Sequence, residues 1–148
     1  MNIYLPFQNR FRPKRLQLFY RLFRPEPHTK VLDLGGGAFF WDLAISEGLP
    51  LPQITVLNLR PPGEDETRSY LKWMIGDACS SEFGDNSFDI IFSNSLIEHL
   101  GNWDFQSQFA QEVKRLAPRY FVQTPDKYCP IEPHFITPFV HWLPKQVR

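Results

Sequence analysis

Apolar residues along this chain switch between two spacings, and the switches divide it into elements. The run Lys30–Leu34 reads as a short buried strand. Phe39 to Ile45 resumes at helical spacing. Gly48 is a C-terminal cap for a helix ending near Glu47, and Pro50 and Pro52 keep it from continuing. Further short apolar runs follow at 54–59 (Ile-Thr-Val-Leu-Asn-Leu), 71–75, 88–93 (Phe-Asp-Ile-Ile-Phe-Ser) and 120–123, each predicting a strand. Before the last of these, Phe105, Phe109, Val113 and Leu116 mark the buried face of a helix capped by Asn102 and ended by Pro118. Ahead of the first strand, Leu16, Phe19, Tyr20 and Phe23 form an amphipathic stripe, with Pro13 suited to the first position of its helix. Strands alternating with helices predict an α/β fold in three layers, around a doubly wound, mostly parallel sheet.

The chemistry concentrates at the first strand's end, where Asp33 precedes Gly35, Gly36 and Gly37. Glycine permits positive φ and, lacking a Cβ, lets the backbone press against a ligand. The helix that follows offers free amide N–H groups at its start, which suit an anion or a ligand carboxylate. Asp33 is placed to receive donors from a cation or an amine. The dinucleotide fingerprint G-x-G-x-x-G would need glycine at 40, where Phe40 stands. The pattern present is D-x-G-x-G.

An acid two residues before the first glycine resembles the first motif of class I S-adenosylmethionine-dependent methyltransferases, although Phe39 stands where that motif often has a third glycine. The stretch FGDNSFDIIFSNSLIEHL resembles the fourth-strand region of their type 11 branch. The likeness covers residues 30 to about 143. It implies a Rossmann-like fold and S-adenosylmethionine as cofactor. Asp33, Gly35, Gly36 and Gly37 would face its methionine end and ribose. Asn58 and Leu59 stand at the second strand's end, where a carboxylate commonly holds the ribose hydroxyls. Asp77 and Ala78, in Gly76-Asp77-Ala78, would line the adenine, and Asn94 and Ser95 would stand over the methionine portion. His99, His134 and Tyr128 are the catalytic candidates, none of them marked as essential. Phe39 and Trp41 could favour a sulfonium cation or simply pack the core. The segment after Thr124-Pro125, proline-broken and aromatic, resembles a loop bordering the acceptor pocket. The family's sheet has seven strands in the order 3-2-1-4-5-7-6, so strands six and seven are expected to be missing. The fifth-strand edge would then need covering by a C-terminal segment or by a second copy of the chain.

Composition narrows the picture further. With 148 residues, 43% hydrophobic and 22% charged, the chain has the size and balance of one globular domain. Its net charge of zero gives no global field toward nucleic acid or membrane, and no apolar run is long enough for an integral membrane segment. Residues 1–25 carry six Lys or Arg and no acid. The domain division is therefore a basic amphipathic helical extension over 1–29, covering one edge of the domain with its charges in water, and a core over 30–148. Cys79 and Cys129 are too few for a zinc cluster or a disulfide framework, which favours a reduced, cytoplasmic protein. Glu132, His134 and His141 lack a regularly spaced third partner and are stiffened by Pro133, so no metal is expected.

The function implied is methyl transfer to a small-molecule, glycan or lipid-headgroup acceptor, with an oxygen acceptor preferred. The first alternative is a binding or scaffold protein that keeps the fold without turnover, which Asn58 and the missing strands favour. A nicotinamide-dependent oxidoreductase is opposed by Phe40. An RNA methyltransferase using the basic N-terminal helix would bind in a salt-sensitive way, and the neutral overall charge opposes it.

Overall fold

The computed structural model describes residues 5–124, with side chains from residue 13 onward. Helix α1 spans Leu5–Phe23, followed by strand β1 (Lys30–Leu34), helix α2 (Ala38–Ser46), strand β2 (Gln53–Asn58), strand β3 (Leu71–Ile75), strand β4 (Ile90–Asn94), helix α3 (Trp103–Leu116) and strand β5 (Arg119–Gln123). The five described strands pair in parallel in the order β3-β2-β1-β4-β5. This is the doubly wound Rossmann-like arrangement that the alternation predicts. The expected loss of strands six and seven, and the edge they would leave, concern residues outside the described ones.

Each strand feeds two cores because its side chains alternate in direction. Val31, Ile54, Val56, Ile90 and Phe92 join Leu16, Phe19, Trp41 and Ala44 from α1 and α2 on one face. Leu32, Leu34, Leu57 and Ile91 join Phe109, Val113 and Leu116 from α3 on the other. A strand buried on both faces reads as a continuous apolar run, which is why β1 and β4 stand out in the sequence.

Three local expectations change. Pro13 lies inside α1 rather than at its start. Its missing N–H costs one rung of the ladder, and the helix continues upstream to Leu5. The helix does more than cover an edge: Phe19 is fully buried, with aromatic centroids of Tyr20, Phe23, Phe40, Trp41, Phe92 and Phe121 5.2–6.1 Å away. On α3, Asn102 caps as expected, its side chain accepting from the backbone N–H of Asp104 and Phe105. Phe105, however, is 49% exposed, and Glu112 sits in the buried stripe instead.

Glu112 is tolerated there because it is fully engaged. It accepts from Ser81 N and Oγ at 2.9 and 2.6 Å and from Arg115 at 2.6 and 2.9 Å. Arg115 also donates to the Phe83 carbonyl and to Asp85, tying down the loop before β4. The Arg115 guanidinium pulls Glu112 down to about 2. Among the described residues no helix is long and apolar enough to cross a membrane.

Candidate functional site

β1 and β4 are neighbours in the sheet although β2 and β3 come between them in sequence. The chain leaves their carboxyl ends in opposite directions, which opens a crevice there. A cleft of about 600 Å³ occupies this place, within the range of small-molecule sites. Asp33 is among its lining residues. Strand alternation puts Asp33 on the Val31 face, toward α2, and Trp41 Nε1 donates to its Oδ2 at 2.9 Å. The other oxygen, Oδ1, is buried without a partner. Asp33 is 1% exposed, and burial pushes its pKa up to about 7, against the opposing pull of the Trp41 hydrogen bond. A buried carboxylate with unused lone pairs is suited to a donor, above all a cationic one.

The glycines form the cradle above it. Gly35 adopts φ +72°, and a Cβ there would meet Leu96 Cδ1 at 2.7 Å. Gly36 lies directly over Asp33, where a Cβ would stand 2.1 Å from the carboxylate. Gly37 is the N-cap of α2 and supplies no side-chain cap, leaving the first helical amides without one.

The loop between β2 and β3 forms a second wall, held by ion pairs. Arg60 donates to Glu66 at 2.8 and 3.3 Å, and the Gly63 N–H donates to the same carboxylate at 3.1 Å. Arg68 donates to Asp42 of α2 through two bonds of 3.0 and 2.8 Å. Each arginine holds its carboxylate below the usual range. From α1, Arg15 reaches the cleft and donates from Nη1 to Asn94 Oδ1 at 2.9 Å.

The cleft thus brings together Asp33, Gly35, Gly36, Gly37, Asn58 and Asn94. Asn58 donates from Nδ2 to the Gly36 carbonyl at 3.2 Å, so its amide braces the turn. Leu59, Asp77, Ala78, Ser95 and His99 are not among the described lining residues. Leu59 is 76% exposed, and Asp77 is exposed with its Oδ1 accepting from the Cys79 N–H at 2.8 Å. Ala78 packs into the α3-side core. Ser95 has φ +59° and donates its N–H to the Gln123 carbonyl at 2.8 Å, while His99 is exposed at the end of a 3₁₀ turn. His134 and Tyr128 lie outside the described residues, as do Glu132, His141 and Pro125. Phe39 and Phe40 line the cleft, whereas Trp41 is buried in the core. Nearby, at the carboxyl ends of β4 and β5, Glu98 Oε1 and Gln123 Oε1 are buried without hydrogen-bond partners. Among the described residues no group of three His, Cys, Asp or Glu could hold a metal ion.

Sequence reasoning missed Arg15, Asp42, Glu66 and Arg68 as lining residues. Arg15 had a weak signal, since it directly precedes Leu16 at the border of the α1 apolar stripe. Glu66 and Arg68 had none beyond lying in a charged, proline-rich loop.

An acid–glycine turn at the switch point of a doubly wound parallel sheet places the cleft where α/β proteins of this class hold their small-molecule ligands. The methyltransferase-domain family model matches residues 32–119, and the chain belongs to that family. No curated protein matches the sequence. Several solved structures share the fold. A putative methyltransferase from an antibiotic biosynthesis pathway of Anabaena variabilis is 16% identical with a TM-score of 0.60, the match covering 80% of this chain and 48% of that one. A Pyrococcus horikoshii protein is 23% identical with a TM-score of 0.59, covering 80% of this chain and 55% of that one. A phosphoethanolamine N-methyltransferase of Haemonchus contortus, in complex with phosphomonomethylethanolamine and S-adenosylhomocysteine, is 23% identical with a TM-score of 0.56, covering 74% and 27%. The chain spans about half the length of the first of these or less of the last.

Proposed function

We propose that the chain is an S-adenosylmethionine-dependent methyltransferase, with Asp33 and the Gly35–Gly37 turn holding the methyl donor. The observation that carries this is Asp33: a buried carboxylate with an unpartnered Oδ1, roofed by a glycine at which a Cβ would collide with it. That arrangement fits a cofactor with an ammonium group and a flat nucleoside, and membership of the methyltransferase-domain family supports it. Bound there, S-adenosylmethionine supplies an electrophilic methyl on a sulfonium, so no nucleophilic protein side chain is required.

The protein's own part is binding, orientation and exclusion of water. Asp33 and Asn94 would face the methionine end, Asn58 the ribose, and the first amides of α2, which have no side-chain cap, would offer donors to an anionic group. Asp77 and Ala78 for the adenine, Leu59 beside Asn58 at the ribose, and Ser95 beside Asn94 over the methionine portion are kept as proposals. For the acceptor we propose a small molecule, glycan or lipid headgroup that takes the methyl through oxygen in preference to nitrogen. The unpartnered oxygens of Glu98 and Gln123 support an acceptor that donates hydrogen bonds, as a hydroxyl or an amine does. The Haemonchus enzyme's phosphomonomethylethanolamine complex supports a headgroup-sized acceptor. Cys79 is a free thiol, which supports a reducing, cytoplasmic setting.

Isothermal titration of the folded chain with S-adenosylmethionine, followed by a methyl-transfer assay over hydroxyl and amine acceptors, tests the reading. Binding with turnover is the expected result. Binding without turnover favours a scaffold of the same fold, a reading to which the uncharged Asn58 lends weight. Absence of binding to a folded sample refutes both.

A further inference from the structure

Three arginines line the cleft, and they are not equivalent. Arg60 is ion-paired with Glu66 at 2.8 Å and Arg68 with Asp42 at 2.8 Å. Arg15 meets no carboxylate within ion-pair distance among the described residues. Its hydrogen-bond partner is the neutral side-chain oxygen of Asn94, engaged through Nη1. A guanidinium carries five N–H donors in a fixed fork matched to carboxylate or phosphate. Arg15 therefore brings a half-buried positive charge and unused donors to a cleft whose other cations are already neutralised. Burial also disfavours its charged form, consistent with an environment that lacks a counter-ion.

The place of Arg15 narrows the anion. Asn94 ends β4, next to β1, where Asp33 pairs in register with Phe92. One border of the cleft thus carries an anion with an unfilled oxygen, and the adjacent border a cation with unfilled donors. A phosphate would use only the second. A zwitterion bearing ammonium and carboxylate on one carbon uses both, and that is the amino-acid end of a methionine-type nucleoside.

We propose that Arg15 binds the carboxylate of the methyl donor's amino-acid end, which makes the N-terminal helix α1 a working part of the cofactor site. The proposal rests on the methyl-donor reading above. It assigns a specificity role to a residue outside the acid–glycine turn, on a helix preceding the stretch matched by the family model.

The test compares two probes, S-adenosylhomocysteine and 5′-methylthioadenosine, the second lacking the amino-acid end. Each is titrated calorimetrically into the full chain as wild type, Arg15→Met and Arg15→Lys, with circular dichroism confirming the fold. Wild type should prefer S-adenosylhomocysteine. Arg15→Met should weaken that ligand about 10- to 100-fold, the scale of a charge-assisted hydrogen bond, and leave 5′-methylthioadenosine unchanged. Arg15→Lys should recover part of the loss, keeping charge without the fork. Unchanged S-adenosylhomocysteine affinity in Arg15→Met would overturn the proposal and assign the charge to an acceptor's anion. Equal weakening of both probes would also overturn it, marking Arg15 as structural. If folded wild type binds neither probe, the methyl-donor reading falls and takes this proposal with it. If only the Arg15 variants depart from expectation, that reading stands.

Discussion

Replacing Asp33 with Asn should make the protein less sensitive to alkaline pH, and the size of the effect follows from the burial of one carboxyl. In the unfolded chain Asp33 titrates near 3.8, whereas burial in the fold raises it to about 7. The folded state therefore binds the proton more tightly than the unfolded state does. Between these two values the native protein holds more protons, so stability falls as pH rises, and the full penalty is present above about 7. A shift of about 3 units corresponds to a ceiling of about 4 kcal/mol. Some of that is already incurred by pH 5, and about 2–3 kcal/mol accrues between pH 5 and pH 8. Asn keeps the acceptor for Trp41 Nε1 but places an amide where an unpartnered oxygen stood. An unsatisfied buried amide costs about 1–3 kcal/mol at every pH, so the absolute stability of the variant is not the readout. The readout is the difference between wild type and Asp33→Asn, measured by urea unfolding at pH 5 and at pH 8. The variant should gain on wild type by about 2–3 kcal/mol across that interval. A difference that stays flat with pH would show that Asp33 is not held in a desolvated pocket, and the argument for its role toward a cationic ligand would lose its basis.

Other perturbations test neighbouring parts of the structure. Gly35→Ala places a Cβ at φ +72° and 2.7 Å from Leu96 Cδ1; a loss of about 1–2 kcal/mol in urea unfolding is expected from the left-handed backbone, and a neutral result would contradict the turn geometry. Phe19→Ala removes a fully buried ring from the centre of the aromatic cluster and should cost about 3–5 kcal/mol; a loss under about 1 kcal/mol would mean that α1 is a detachable extension. Glu112 is pulled down to about 2 by Arg115, below its ordinary 4.5. Its contribution is therefore present above the unfolded value and lost as pH falls toward 2, so Glu112→Gln should cost about 1–3 kcal/mol at pH 7 and far less at pH 3. Equal costs at both pH values would rule out an ionised Glu112. S-adenosylhomocysteine at about 100 times its Kd should raise the unfolding free energy by about 2.7 kcal/mol, read as a shift in thermal midpoint, and no shift would count against a site for it.

The sequence was most informative where structure is set locally. Lys30–Leu34 and Leu71–Ile75 read as strands with the bounds they have in the fold, and the glycine turn, the Gly48 cap and the Asn102 cap lie where local chemistry puts them. Bounds slipped where pairing decides them. The run 54–59 was expected as a strand, but β2 is Gln53–Asn58, because Lys30 pairs with Gln53 at the start of the ladder. The run 88–93 was expected as another, but β4 is Ile90–Asn94. Asp89 instead brackets Lys30, donating its N–H to the carbonyl at 2.9 Å and accepting the Lys30 N–H on its side chain at 2.7 Å. In the site, Asp33 and the three glycines were legible because they are contiguous. Arg15 was not, since its partner Asn94 lies 79 residues away, and no periodicity tells which charged residue beside an apolar stripe faces a cleft.

Asp33 and Arg15, on two borders of the cleft, both adjoin a single packed core. Phe19 sits one helical turn beyond Arg15 on α1, its ring 6.0 Å from that of Trp41. Trp41 in turn donates to Asp33. The residue that places the cation and the residue that orients the anion therefore meet edge to face within the same aromatic cluster, which Phe92 and Phe121 extend to β4 and β5. Close-packed interiors transmit displacements rather than absorb them. Loss of the Phe19 ring should consequently disturb both ends of a zwitterion at once. A milder substitution, Phe19→Leu, that leaves the protein folded should weaken S-adenosylhomocysteine while sparing 5′-methylthioadenosine, reproducing from the core what Arg15→Met is expected to do at the surface of the cleft. If Phe19→Leu lowers stability yet leaves the preference between the two ligands intact, the helix and the turn are held independently, and the coupling through the aromatic cluster is wrong.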